Sequence, residues 1–312
     1  MSKNHRKYLK QKPLLVSVVG PTATGKTTLS IRIAKRFETE IISADSRQFY
    51  REMHIGTAKP GVQELKEVKH HFIDSHSILN RYSAGEYGRD AIEKIKQLHK
   101  RNKMVIAVGG STLYLKAIWE GFDEMPKIHP SIRKTLNNEI REKGLSVLLD
   151  ELKKTDPEYY KEIDRNNGQR VIRALEIVRG TGKSFTSFRK NAKNEMPYNN
   201  LKIGLEQNRL LLFQHINRRM DKMIKAGLFE EASTLVRYKN HNALQTMGYK
   251  EIFDYLEGKY DKEEAIRLLK RNSRRYAKRQ MAWFKRYDDI NWFHIDEEDD
   301  IVKLIEESLS GE

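Results

Sequence analysis

Gly20-Pro-Thr-Ala-Thr-Gly-Lys-Thr27 meets every fixed position of the phosphate-loop pattern G-x-x-x-x-G-K-[ST]. Its flanks supply the context such a loop requires. The apolar run Leu14–Val19 before it predicts a buried parallel strand, and Thr28–Phe37 after it carries apolar residues at helical spacing. In a strand–loop–helix unit of this kind the glycines let backbone N–H groups converge on phosphate oxygens, and the helix N-terminus adds positive potential. Lys26 then supplies a point charge and Thr27 a hydroxyl able to ligate magnesium. Pro21, Thr22, Ala23 and Thr24 form the body of the loop between Gly20 and Gly25. A phosphate loop names the phosphates and leaves the reaction open.

The 312 residues are enough for one large domain or two smaller ones. Without cysteine, disulfides, thiolate zinc sites and thiol nucleophiles are excluded. The basic N-terminus Met1–Lys10 lacks an apolar stretch behind it and no run is long enough to span a membrane, so the expectation is a soluble, cytoplasmic protein. The formal net charge is +16, and it is uneven: residues 288–312 hold ten acidic residues and one lysine, leaving +25 on residues 1–287. Such a field draws polyanions, nucleic acid first among them; a lysine-rich solubilising surface is the plainer alternative.

The strand pattern returns at Glu40–Ala44 and ends in Asp45-Ser-Arg-Gln48. Two roles fit Asp45: chemistry at the carboxyl end of a strand beside the phosphate loop, or capping of the segment that follows. Residues 49–60 have no clear period and predict a loop flanking the site. His70-His71 lie on a short strand where neighbours point to opposite faces, which argues against a metal pair. Ser83 and Glu86 stand at capping-box spacing before a helix running to about Arg101. Met104–Val108 predicts a buried strand running into Gly109-Gly-Ser-Thr112, where a Walker B acid would be expected in a hydrolytic nucleotide-binding protein. From about Gly121 strands vanish and charged helical patterns take over. Gly180-Thr-Gly-Lys-Ser184 mimics half a phosphate loop but follows a helix, so it is set aside. Leu201–Glu206 returns to strand pattern, and Leu210–Ala226, closed by Gly227, is a helix bearing Arg218 and Arg219. A last long helix over 262–286 places Arg271, Arg274, Arg275, Lys278 and Arg279 at three- and four-residue spacing, with Tyr276, Trp283 and Phe284 among them as core anchors or stacking platforms.

Nine stretches, in one order over about residues 13–287, together resemble the tRNA dimethylallyltransferases, also called tRNA isopentenyltransferases. They are residues 20–27, 45–48, 56–60, 70–74, 82–84, 108–114, 169–176, 246–251 and 276–280. One departure stands out: Gly109-Gly-Ser-Thr112 replaces the usual Gly-Gly-Thr-Gly, which keeps a hydroxyl at Ser111 and adds a side chain at Thr112.

The resemblance implies an α/β fold: a phosphate-loop parallel sheet over 13–123 and 199–295, flanked by helices, a helical insertion over 124–198, and a C-terminal helical segment. A basic tail over 1–12 and an acidic tail over 296–312 complete the expected organisation. It further implies transfer of a dimethylallyl group from dimethylallyl diphosphate to the exocyclic amine of the adenosine immediately 3′ of the anticodon. The phosphate loop would then hold the donor diphosphate with Mg2+ at Thr27, and Asp45 would act as base, worth roughly 10²- to 10⁴-fold. Thr22 and Arg219 would meet the leaving group, whose growing charge they would stabilise with Lys26. The residues implied to hold the tRNA anticodon stem-loop are Asp45, Ser46, Arg47 and Gln48, then Ser111 and Arg133. Gln169, Arg170, Val171, Ile172 and Arg173 follow on the insertion, and Gln245, Gly248, Tyr249 and Lys250 beyond it. Arg275, Lys278, Arg279 and Gln280 on the last helix complete the set. The chain is expected to act as a monomer. Two rivals share the loop: a small-molecule or nucleotide kinase, which leaves the +25 surplus unexplained, and a nucleic-acid-binding switch that senses nucleotide without catalysis.

Overall fold

Strand β1 (Leu14–Val19) is buried along its whole length, as a central parallel strand covered on both faces must be. The computed structural model describes residues 12–189 and 195–310. In chain order β1 is followed by α1 (Lys26–Arg36), β2 (Ile41–Ser43), α2 (Val62–Glu67), β3 (His70–His71), α3 (Ala84–Leu98), β4 (Met104–Gly109) and α4 (Thr112–Trp119). Next come α5 (Pro130–Lys143), α6 (Leu145–Thr155), α7 (Pro157–Glu162) and α8 (Gly168–Thr181), and then β5 (Asn199–Leu205) and α9 (Arg209–Lys225). The chain ends with α10 (Leu228–Leu235), α11 (Tyr249–Leu256), α12 (Lys262–Phe284), β6 (Ile290–Phe293) and α13 (Glu298–Ser310).

Two units divide the chain: Met1–Glu120 with Glu195–Glu312, and Gly121–Asn194. In the first, six parallel strands run β3-β2-β4-β1-β5-β6. β1 pairs with β4 from Leu14↔Met104 to Val19↔Gly109, and with β5 from Leu14↔Asn199 to Val19↔Gly204. The phosphate loop therefore leaves β1 between the carboxyl ends of two neighbours, where ligands bind in open α/β sheets. One face packs on a core containing Phe49, Tyr87, Leu115 and Phe284. The other packs on α1 and α13 through Leu29, Ile33, Ile301 and Ile305. The expected capping box is present, with Ser83 Oγ accepting from the Glu86 N–H and Glu86 accepting from the Ser83 N–H. Among the described residues no helix is long and apolar enough to cross a membrane.

The C-terminal segment corrects the expectation of an acidic tail over 296–312. Ile301, Val302 and Ile305 recur on one face of α13 and are buried, which anchors the helix to the sheet. Its acidic residues fall where charge is favourable: Glu298, Asp299 and Asp300 occupy the positive N-terminal turn. Glu298 pairs with Arg32 at 2.6 Å and Glu306 with Arg36 at 3.1 Å. Of the basic tail expected over 1–12, only Lys12 lies within the described residues.

The second unit packs α5, α6 and α8 around Leu136, Leu148, Leu152, Val171, Ile172 and Leu175. Arg179 fastens all three helices with 2.7 and 2.8 Å bonds to Glu139 and 2.5 and 2.8 Å bonds to Glu151. Gly182, in the left-handed region at φ 72°, terminates α8, so the Gly180–Ser184 stretch is a helix stop rather than a phosphate loop.

Candidate active site

The loop's shape follows from what surrounds it. Gly20 (φ 138°) lies against the β5 carbonyl so closely that a Cβ would stand 2.4 Å from Leu205 O. Gly25 (φ 86°) is covered by the Ile295 side chain at 1.9 Å from the same notional atom. Thr24 Oγ1 and Lys26 Nζ donate to Pro21 O at 3.0 and 2.5 Å, folding the loop onto itself. Burial first, and the Arg219 cation next, lower the pKa of Lys26 to about 7, with Asp45 opposing both. Thr27 stands partly exposed in the first turn of α1.

Asp45 follows β2. Its Oδ1 accepts from the N–H groups of Arg47 (2.8 Å) and Gln48 (3.2 Å), so it does cap the ensuing turn, with one of its two oxygens. Capping and chemistry are thus compatible. Asp45, Thr22 and Arg219 share one cavity of about 370 Å3 with Ser46, Arg47, Ser111, Gln245 and Gly248. Arg219 Nη1 donates to Thr22 Oγ1 at 2.9 Å. Burial depresses the Arg219 pKa, partly offset by Asp45. Ser111 Oγ accepts from the Ser46 N–H at 2.8 Å, which ties the end of β4 to the end of β2. Ile216, Met220, Met223 and Met247 give the cavity an apolar wall.

Sequence reasoning did not assign Tyr276 to the site. It lines the cavity, and its hydroxyl pKa is pushed up to about 12, by burial first and by Asp45 next. Its spacing among the cations of α12 left it open between core anchor and stacking platform, so spacing did not place it at this cavity. Arg279 also reaches the cavity, whereas Arg275 and Lys278 face solvent. Phe284 is core as expected, and Trp283 packs partly buried against it.

Several side chains assigned to tRNA are committed elsewhere. Gln280 is buried: its Oε1 accepts from the Thr22 N–H (3.0 Å) and its Nε2 donates to Gly110 O (2.8 Å). It braces the phosphate loop. Gln48 accepts from Ser43 Oγ at 3.1 Å and donates to Thr57 O and Ala58 O at 3.4 and 3.2 Å. The Tyr249 side chain is fully buried, with its hydroxyl donating to Glu231 at 2.6 Å. Lys250 is exposed beside it. His71 bonds Glu40 at 2.7 Å and His70 the Val68 carbonyl at 2.8 Å. No group of three metal-capable side chains occurs among the described residues.

In the second unit, Val171 and Ile172 are core residues, not surface contacts, because they fall on the apolar face of α8. Gln169 and Arg170 are exposed. Arg133 and Arg173 each donate to the buried Glu176 at 3.0 Å, and Arg133 also to Gln169 Oε1 at 2.7 Å. Glu176 organises these cations, a role spacing alone did not disclose.

The match to known proteins covers both units. The family model described as IPP transferase matches residues 48–287. A protein named tRNA dimethylallyltransferase from Cytophaga hutchinsonii is 48% identical over 295 residues, covering 95% of this chain and 97% of its own. Its counterpart from Christiangramia forsetii is 50% identical over 283 residues, covering 91% and 94%. The solved tRNA isopentenylpyrophosphate transferase of Bacillus halodurans aligns with TM-score 0.71 at 39% identity, over 96% of this chain and 98% of its own. A eukaryotic dimethylallyltransferase, whose structures are described as acting on tRNA, aligns with TM-score 0.74 at 27% identity, over 90% and 73%. The phosphate-loop sheet, the helical unit carried between α4 and β5, and these relatives agree: the chain belongs to the tRNA dimethylallyltransferase family.

Proposed function

We propose that this chain transfers a dimethylallyl group from dimethylallyl diphosphate to the exocyclic amine of the adenosine immediately 3′ of the anticodon in tRNA. The observation that carries the reading is the convergence of a carboxylate, Asp45, with Thr22 and Arg219 at the mouth of a phosphate loop, inside one cavity with an apolar wall. The diphosphate lies on the loop's N–H groups beside Lys26. The five-carbon chain lies against Ile216 and against Met220, Met223 and Met247, three methionines whose flexible thioethers conform to a branched alkene. The adenosine, extruded from its loop, presents its amine to Asp45.

As the bond from the amine nitrogen to the prenyl carbon forms, the carbon–oxygen bond of the donor breaks. The amine proton passes to Asp45, whose Oδ1 is held by two backbone N–H groups. Diphosphate departs with the electron pair, its charge met by Arg219, the Thr22 hydroxyl and Lys26. Magnesium fits the donor set, because the Thr27 hydroxyl and diphosphate oxygens are hard ligands. When bound it supplies further charge neutralisation to the leaving group. The exposed Arg275 and Lys278 of α12, with Arg170 and Lys250, meet tRNA phosphates. The protein acts as a monomer in the cytoplasm.

Nucleosides digested from tRNA after incubation with the protein, magnesium and dimethylallyl diphosphate test the proposal by mass spectrometry. One adenosine next to the anticodon should gain a single dimethylallyl group. Unmodified tRNA, together with ATP turnover on addition of an acceptor, would favour the kinase alternative instead.

A further inference from the structure

Glu231, on α10, lies outside the cavity lining, yet its carboxylate takes four hydrogen bonds. Oε2 accepts from the N–H groups of His54 (2.9 Å) and Ile55 (2.8 Å), and Oε1 from the N–H of Gly56 (2.9 Å) and the hydroxyl of Tyr249 (2.6 Å). Three consecutive backbone donors converging on one anion form a nest that the chain fills with its own side chain. Charge-assisted bonds of this length are the strong ones.

The turn so held belongs to the site. Gly56 and Thr57 line the cavity, and Gly248, next to Tyr249, lines it too. The Tyr249 ring lies directly on Gly56: a Cβ there would stand 2.5 Å from its atoms, so this approach needs glycine. From the turn, the Thr57 and Ala58 carbonyls accept the Gln48 amide at 3.4 and 3.2 Å. The Gln48 backbone N–H in turn donates to Asp45 Oδ1 at 3.2 Å. At the far end Lys59 bonds Tyr50 O at 2.5 Å and pairs with Asp74.

We infer that Glu231 is a positioning residue: by fixing the 54–57 turn it fixes Gln48, and through Gln48 the orientation of the Asp45 carboxylate at the reacting amine. The inference rests on the transfer reading for its catalytic consequence, but the mechanical link stands apart from it. Glu231→Ala removes all four bonds, and Glu231→Gln keeps the size while losing the charge. Hydrogen exchange of the free protein reads the link, and the single-turnover transfer rate at saturating donor and tRNA reads its consequence.

In both variants the amides of residues 54–56 should exchange faster, and so should those of Arg47 and Gln48. The transfer rate should fall on the order of tenfold or more, as a misplacement of about an ångström predicts, with the donor KM within about twofold of wild type. Where Glu231→Ala does not fold, Glu231→Gln carries the same reading. Unchanged exchange at Arg47 and Gln48, or an unchanged transfer rate despite faster exchange there, would overturn the inference and leave Glu231 a stabilising contact. If the wild type transfers nothing while the exchange changes as stated, the functional reading fails and the mechanical link survives.

Discussion

Arg219 of α9 donates to the Thr22 hydroxyl of the phosphate loop at 2.9 Å, joining groups 197 positions apart in sequence. On the proposed transfer, the bond places a guanidinium where the departing diphosphate would gather charge, next to a lysine that burial already disfavours as a cation. Removing such a preorganised donor costs most in the transition state. Arg219→Ala should lower the single-turnover rate of transfer by roughly 10²- to 10³-fold while tRNA affinity stays within about twofold. Rapid-quench measurement with bound tRNA checks this; a rise in donor KM with an unchanged rate would mean uniform binding only.

On the proposed transfer, Lys26 should make the donor's affinity depend on pH. In the free protein its pKa is lowered to about 7 by burial and by Arg219, and a diphosphate beside it favours the charged form. Below pH 7 the lysine is protonated before and after binding. Above pH 7 it is increasingly neutral in the free protein and must gain a proton on binding, so affinity falls as pH rises. Calorimetry at pH 8 in buffers of different ionisation enthalpy should find Lys26 contributing an uptake approaching one proton. Lys26→Arg, which stays charged, should lose that contribution. Equal uptake by the two proteins would contradict the shift.

Arg275 and Lys278 face solvent on α12 while Ser273, Ala277 and Gln280 of the same helix are buried. That division leaves both cations on the outer face of the helix. Replacing both by Ala should weaken tRNA binding and flatten the plot of log affinity against log salt by up to about two units, if each neutralises one phosphate. Turnover of bound tRNA should be retained. An unchanged affinity and slope would assign the pair to solvation.

The parts of this architecture that the sequence disclosed share one property: their signal is local. Leu14–Val19 is apolar but for Ser17 because both faces of β1 are covered, and the loop after it has fixed glycines because the Leu205 backbone crowds Gly20 and the Ile295 side chain crowds Gly25. Asp45 stood out as the acid ending a strand. What stayed hidden depends on pairing across the fold. Glu176 is a lone glutamate among the arginines of α8 and Glu231 one of an adjacent pair in α10, and only their partners distinguish them. Ile290–Phe293 is a four-residue edge strand inside a segment dominated by acids. The acids of α13 masked a three-residue apolar face, so net charge suggested a tail where the chain packs on the sheet. Gln48 and Gln280 carry the polarity of contact residues, and Gln280 spends it on the phosphate loop, Gln48 on the Thr57 and Ala58 carbonyls.

The central claim is that Asp45 takes the proton from the attacking amine. Asp45→Asn keeps the side chain's shape and leaves an oxygen to cap the N–H groups of Arg47 and Gln48, but removes the base. Measured in a single turnover at saturating donor and tRNA, the transfer rate should fall by roughly 10² or more, with tRNA affinity within about twofold of wild type. Transfer by the asparagine variant at close to the wild-type rate would contradict the account.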